Sequence, residues 1–202
     1  VLAQTVQDFE IVVVDDGSTD NGGQIVASYT DPRIRLISQE NKGVSAARNR
    51  GIREAQSDFI AFLDADDEWS PEHLETLIRL RNRFPEAGAF STAYLHVQPG
   101  REPFLARIRR IPPSPWEGLF PDYFLSATFG EPPVCASAVG IPREVFDRVG
   151  VFKVGEKMGE DLDMWGRIAL SYPIAFSWQG VAFYREDSTE RACVINRIEQ
   201  EL

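Results

Sequence analysis

Two short apolar runs, each closed by carboxylates, constrain the fold of this chain most. Val12–Val14 is a β-branched run that stops at Asp15 and Asp16, ahead of the turn-forming "GSTDN". Phe59–Leu63 stops in the same way at "DADD", Asp64–Asp67. Apolar runs of about four to eight residues bounded by turn residues read as buried strands, the kind found in parallel sheets covered on both faces. Ionised carboxylates are not carried into an apolar core without partners. Each run must therefore end at a surface or crevice, where water, a cation or a ligand meets the acids.

The rest of the chain alternates in the same manner. Glu10–Val14 reads as a strand and Thr19–Tyr29 as a helix with Ser18 or Thr19 as its N-cap. Ile34–Ser38 reads as a strand, Val44–Ala55 as a helix entered through "NKG", and Phe59–Leu63 as a second buried strand. Ser70 caps a helix with Pro71 at its first position, running through Leu80 towards Phe84. Ala87–Val97 is a further strand. The pattern changes after Gly100: Arg101–Pro121 is rich in Pro and Arg without a period and reads as a loop between two halves, 1–98 and 99–202. Beyond it the pattern predicts a helix at Tyr123–Thr128, a strand at Val134–Gly140, a helix at Pro142–Val149, a helix at Glu160–Ser171, a strand at Ile174–Tyr184 and a helical tail from Thr189. Alternating strands and helices predict an α/β fold with a Rossmann-like, mostly parallel sheet and flanking helices. In such sheets ligands bind outside the carboxyl ends of the strands, where both acid clusters fall.

Composition narrows the function. The net charge of -10 over 202 residues argues against a nucleic-acid partner. No apolar run reaches the roughly 20 residues that span a bilayer, and "VLAQTVQDFE" has no signal-peptide character. Cys135 and Cys193 are the only cysteines, which fits a reducing compartment and no cysteine-built metal site. His73 and His96 stand apart without ligand spacing, and each reads as surface or partly buried filler.

Four constellations carry chemistry, each with a plainer reading beside it. Asp64 and Asp66 lie two apart and face one way in extended chain; two carboxylates suit Mg²⁺ or Mn²⁺ with phosphate oxygens completing the shell, or simply form an acidic turn before the next helix. Asp15 or Asp16 can accept from a base or a ribose, or close the strand as an Asx-turn. Glu160 and Asp161 can supply a general base, or merely favour a helix N-terminus. Trp165, one turn on, can pack beneath them or line a sugar site. Lys42, Arg48 and Arg50 surround a glycine turn that can face phosphate, or form a basic helix surface.

Taken in order, "VLAQTVQDFEIVVVDDGSTDN", "NKGVSAARNRGI", "DFIAFLDADDEWSPEHL" and "GEDLDMWGRI" resemble glycosyltransferase family 2, inverting enzymes with the GT-A nucleotide-sugar fold. The resemblance implies a nucleotide-sugar-binding half at 1–98 and an acceptor half at 99–202 within one GT-A domain. It implies that Asp16, with Asp15, contacts the nucleotide base, that Asp66 holds Mn²⁺ or Mg²⁺ on the donor diphosphate with Asp64 near the ribose or the metal, and that Arg48 reaches the phosphates or supports the donor loop. Asp161, beside Glu160, would be the catalytic base. The partners implied are a UDP-sugar and a saccharide or lipid-linked acceptor of cell-surface polysaccharide or glycolipid synthesis. The place implied is the cytoplasm or, peripherally, the inner face of the cytoplasmic membrane.

Three departures qualify the likeness. The family has a strand and helix ahead of "LAQT", and that strand would lie mid-sheet, so the chain is expected to be N-terminally truncated with exposed strand edges that favour pairing of two copies. "YREDSTE" places acids where many members carry a histidine, which bears on Arg185 and Ser188. The QxxRW signature of processive synthases is missing, so transfer of one sugar is expected. The competing reading is a truncated, non-catalytic nucleotide-binding or interaction domain. A phosphatase of the haloacid dehalogenase type fits poorly, because Glu68 stands where Thr or Val belongs. A nucleotidyltransferase would need a glycine-rich N-terminal loop. Pro112–Phe129 can shape an acceptor groove, meet a membrane or pack beneath the long loop.

Overall fold

The computed structural model describes residues 1–186; the tail expected to be helical, with Ser188 and Cys193, lies outside the described residues. Strand β1 (Ile11–Asp15) leads through helix α1 (Gly22–Ala27) to β2 (Ile34–Ser38), and helix α2 (Val44–Glu54) leads to β3 (Phe59–Ala61). After β4 (Glu68–Trp69) come α3 (His73–Arg83) and β5 (Ala89–Val97). The expected long loop contains two short strands, β6 (Phe104–Leu105) and β7 (Glu117–Leu119). Then follow α4 (Tyr123–Phe129), β8 (Val139–Pro142), α5 (Arg143–Val149), α6 (Glu160–Ala169) and β9 (Ile174–Arg185).

The α/β class and its order of elements agree with the pattern of the sequence. Three details differ. First, the sheet is mixed where a mostly parallel one was expected. β1 pairs parallel with β2, and β5 pairs parallel with β9 over its full length. β3 with β8, β8 with β5 and β4 with β9 are antiparallel, in the order β3-β8-β5-β9-β4. Second, the strand expected at Val134–Gly140 begins only at Val139, because Ala136–Ala138 form a 3₁₀ turn. Third, β1 is half-buried throughout instead of fully buried. Its only strand partner among the described residues is β2, and β3 likewise pairs with β8 alone. Each therefore keeps one edge unpaired by a strand, and the apolar faces of β1 are covered less than those of a central strand.

The strand order interleaves the two halves of the chain, since β8 and β9 lie among β3, β5 and β4. The larger of the two buried apolar clusters draws on both. A chain of edge-to-face rings crosses it: Phe62 meets Phe146 at 6.2 Å and Phe152 at 5.5 Å, and Phe152 meets Trp165 at 5.9 Å. Burial of each such ring is worth roughly 1.5–3 kcal/mol. Phe62 stands two residues before Asp64, and Trp165 one turn after Asp161. Core packing thus fixes the end of β3 beside the start of α6.

Candidate active site

The acids at the end of β1 are held by local bonds. Asp15 Oδ1 accepts from the Ser18 N–H at 2.9 Å, the Asx-turn geometry that closes a strand. That bond, with a second from the Ser18 side chain, holds the Asp15 carboxyl below its ordinary range. Asp16 reaches forward instead. It accepts from the Lys42 N–H at 3.0 Å, the Gly43 N–H at 2.7 Å and Gln39 Nε2 at 2.6 Å. Gly43 is the N-cap of α2 and has no side chain to cap it, so Asp16 supplies the carboxylate that the helix N-terminus favours. The amides on which a phosphate could sit are given to Asp16. Gly17 makes the turn possible: its φ is 74°, and an added Cβ would lie 2.8 Å from the Asn41 nitrogen.

One turn further along α2, Arg48 reaches the second acid cluster. Its Nη2 donates to both Asp64 oxygens at 2.9 and 3.0 Å, and its Nη1 donates to Glu160 Oε1 at 2.9 Å. The guanidinium lies 5.4 Å above the Phe152 ring. The Arg48 side chain is only 10% exposed and Glu160 13%, while Asp64 is 37% exposed. Burial disfavours the Arg48 charge, but Asp64, Glu160 and Asp161 outweigh it and raise its pKa. Arg50 does not join this site; it pairs with Glu54 one turn along its own helix.

Asp161 has a different environment. Burial and then the neighbouring Glu160 charge raise its pKa, against the Leu162 N–H bond at 2.8 Å and the Arg48 charge. A carboxyl so raised is a better proton acceptor when ionised. Gly159, at φ 82°, turns the chain into α6 so that Glu160 and Asp161 fall in its first turn. Trp165 does not line a site: it is fully buried against Phe152.

The turn after β3 is braced from a distance. The Asp64 N–H donates to Ser137 Oγ at 3.0 Å, and Trp69 Nε1 donates to the Ser137 carbonyl at 2.6 Å. Asp67 is buried and accepts from the Arg185 N–H at 3.0 Å. Burial raises its pKa to about 6, with the Asp64 and Asp66 charges acting the same way. Asn49 is buried and holds the segment before α6, donating to the Phe152 carbonyl at 2.8 Å and accepting from its N–H at 2.9 Å. Sequence reasoning gave no role to Ser137, Asp67 or Asn49. Asp67 and Asn49 left a signal, as the last acid of "DADD" and as the neighbour of Arg48 in its motif; Ser137 left none.

The structure therefore brings Arg48, Asp64, Glu160 and Asp161 together, with Asp66 two residues along the same turn. Asp15 and Asp16 join them only through α2. The donor set fits a hard divalent cation: Mg²⁺ takes one or two carboxylates and completes its shell with water and substrate phosphate. Among the described residues no three His, Cys, Asp or Glu side chains converge on one ion, so substrate oxygens would have to complete such a shell. Asp64 is held by Arg48, and Asp66 follows two residues along the same turn, so the two carboxylates together are the candidates.

The family profile described as Glycosyl transferase family 2 matches residues 1–150. YibD of Escherichia coli, named an uncharacterized glycosyltransferase, is 45% identical over 82 residues, 40% of this chain and 24% of that protein. EpsH of Bacillus subtilis, named a putative glycosyltransferase, is 44% identical over 78 residues, 38% of this chain and 23% of that protein. The matched stretch thus spans about a quarter of these relatives. The structure of S. aureus TarS 1-349 in complex with UDP-GlcNAc superposes with a TM-score of 0.75 at 21% identity, covering 95% of this chain and 54% of that one.

Proposed function

Because the chain belongs to glycosyl transferase family 2, we propose that it moves one sugar, with inversion, from a nucleoside-diphosphate donor to a hydroxyl. The acceptor is a saccharide or lipid-linked acceptor of cell-surface polysaccharide or glycolipid synthesis. The observation that carries this reading is the Arg48 bridge, which joins the acids after β3 to those opening α6. A UDP-sugar is the donor class in keeping with the UDP-GlcNAc complex of TarS.

Asp161 accepts the proton of the acceptor hydroxyl. The oxygen so released attacks the anomeric carbon as the bond to the diphosphate breaks on the opposite face, which inverts the centre. Asp15 and Asp16, at the end of β1, are assigned to the nucleotide. Asp66, with Asp64, would hold Mn²⁺ or Mg²⁺, and such an ion would neutralise the charge that builds on the leaving diphosphate. Arg48 holds Asp64 and Glu160 in place and adds positive charge at the phosphates. Among the described residues no helix is long and apolar enough to cross a membrane. Our reading places the protein in the cytoplasm with peripheral contact at the membrane's inner face, and the open edges of β1 and β3 as the place where two copies would pair.

Asp161→Asn should leave UDP-sugar binding intact and lower transfer by about 10²- to 10⁴-fold. Near-normal transfer by that variant would remove Asp161 as the base. A second reading, a binding domain without transfer, is favoured by the half-exposed β1 at the nucleotide end. Calorimetric titration of UDP with and without Mn²⁺ separates the two. Ion-dependent binding that Asp66→Ala abolishes supports the enzyme reading. Binding indifferent to ion and to Asp66 supports the second.

A further inference from the structure

Helix α4 turns a strongly apolar surface outward. Phe124 is 46% exposed, Leu125 43% and Phe129 52%, while Tyr123 and Ser126 face inward. Phe124 lies over Gly166 of α6, its ring 3.8 Å from where a Cβ would stand. Leu162 and Leu170, one turn either side of Gly166, are also exposed and extend the strip. Monomeric surfaces rarely carry apolar patches of this kind without a use for them.

Beside the patch runs a basic segment. Arg107, Arg109 and Arg110 are exposed, while Ala106 before them and Ile108 between them are buried. The segment is tied to α4: Ser126 Oγ donates to the Arg109 carbonyl at 2.7 Å, the Glu131 N–H donates to the Arg107 carbonyl at 3.2 Å, and the Arg110 guanidinium lies 4.8 Å over the Phe129 ring. Nearby acids are otherwise engaged. Asp122 caps α4 through the Leu125 N–H, and Glu131 meets the Arg107 N–H and His96 Nε2. Among the described residues none of the three arginines forms an ion pair with them.

We propose that this face, made of Phe124, Leu125, Phe129 and the three arginines, docks the protein on an anionic lipid surface. The charge pattern selects that occupant. A chain of net charge -10 is repelled by such a surface overall, so a cluster of arginines around exposed aromatic and aliphatic side chains marks the one orientation in which it can approach. α4 packs on α6, whose first turn holds Asp161, so a docked molecule would keep that carboxyl near the lipid headgroups. The docking itself rests on side chains outside the carboxylate cluster and stands whether or not the transfer reading does.

The test is co-sedimentation of the 202-residue chain with phosphatidylcholine vesicles, with and without about 30% phosphatidylglycerol. Binding is expected only to the anionic vesicles and should be lost at roughly 1 M salt, where the screening length shrinks to about 3 Å. Arg107→Gln, Arg109→Gln and Arg110→Gln together should weaken partitioning about 100-fold, at about fivefold per arginine. Phe124→Ser with Phe129→Ser should weaken it about tenfold or more. Both sets are exposed, and unchanged circular dichroism would confirm folding. Equal binding to neutral vesicles, no binding to either, or binding that survives both sets overturns the proposal. So does a dimer in light scattering that the serine variants dissolve without any vesicle binding, which would give the face to a second copy of the chain.

Discussion

Replacing Arg48 by methionine keeps most of the side chain's volume and removes the one positive charge between Asp64 and Glu160. The cost follows from the exposures. Asp64, at 37%, can be rehydrated, so its loss of a partner counts for little. Glu160, at 13%, cannot, and Asp161 beside it is already raised by burial and by the Glu160 charge. Removing one partner of a buried pair costs about 3–5 kcal/mol; with one of the two carboxylates half in water, we expect about 3 kcal/mol at pH 7. Without the Arg48 charge, which lowers it, the folded-state pKa of Asp161 moves further above its unfolded value. The folded variant then binds more protons than its unfolded chain, so the deficit should shrink as pH falls from 7 to 5. Urea unfolding followed by tryptophan fluorescence at both pH values reads this directly. In a Glu160→Gln background the same change should cost at least ~1 kcal/mol less, the coupling expected of contacting groups. A loss below about 1 kcal/mol at pH 7, or a loss that is independent of pH and additive with Glu160→Gln, would refute the bridge as the element that joins the two ends of the site.

Other expectations follow from single side chains. His73 is fully buried, stacked on Trp69 at 4.4 Å, and its desolvation lowers the pKa from 6.5 to about 3. The unfolded chain therefore takes up a proton that the folded one refuses, and stability should fall by up to roughly 5 kcal/mol as pH drops through that window. His73→Leu should flatten that acid limb in pH-dependent urea unfolding while changing stability at pH 7 by less than about 1.5 kcal/mol. Asp16→Ala leaves the Lys42 and Gly43 amides, at the entry to α2, without their acceptor and should lower the unfolding free energy by about 1–2 kcal/mol, with weaker UDP binding in the same calorimetric titration. Asn49→Ala strips both backbone groups of Phe152 of a buried partner; about 3 kcal/mol should be lost in urea melts.

The α/β alternation was legible because it is local. Apolar runs, turn residues and helix periods placed β2, α2, β5, α6 and β9 to within about two residues at either end. The acids at the ends of β1 and β3 were legible for the same reason, since a charged residue closing an apolar run has few places to go. Strand direction was not legible. Whether β3 lies beside β8, and antiparallel to it, depends on partners some eighty positions away in sequence, and nothing in either strand states that choice. Short elements were missed as well: two residues at Phe104–Leu105 and three at Glu117–Leu119 cannot display a period. Within the site, Arg48 and Asp161 stood out by motif. The bond from Asp64 to Ser137 and that from Asn49 to Phe152 link residues with no local pattern in common. The engagement of Asp16 with the amides at the entry to α2 was likewise hidden, because a carboxylate after a strand reads alike whether it turns to a ligand or to a neighbouring helix.

The one-sided pairing of β1 and β3 bears on how the molecule breathes. β5 and β9 share the longest ladder, with strands on both sides, and their amides can lose protection only when the whole core opens. β1 and β2 form a separate two-stranded ribbon, covered by α1, that touches the rest mainly through α2. Such a ribbon can detach as its own cooperative unit at a free energy below that of global unfolding. Deuterium should therefore enter Ile11–Asp15 and Ile34–Ser38 together, and well before it enters Ala89–Val97. Whatever ligand fastens Asp15 and Asp16 to the rest of the molecule would slow exchange in that ribbon first.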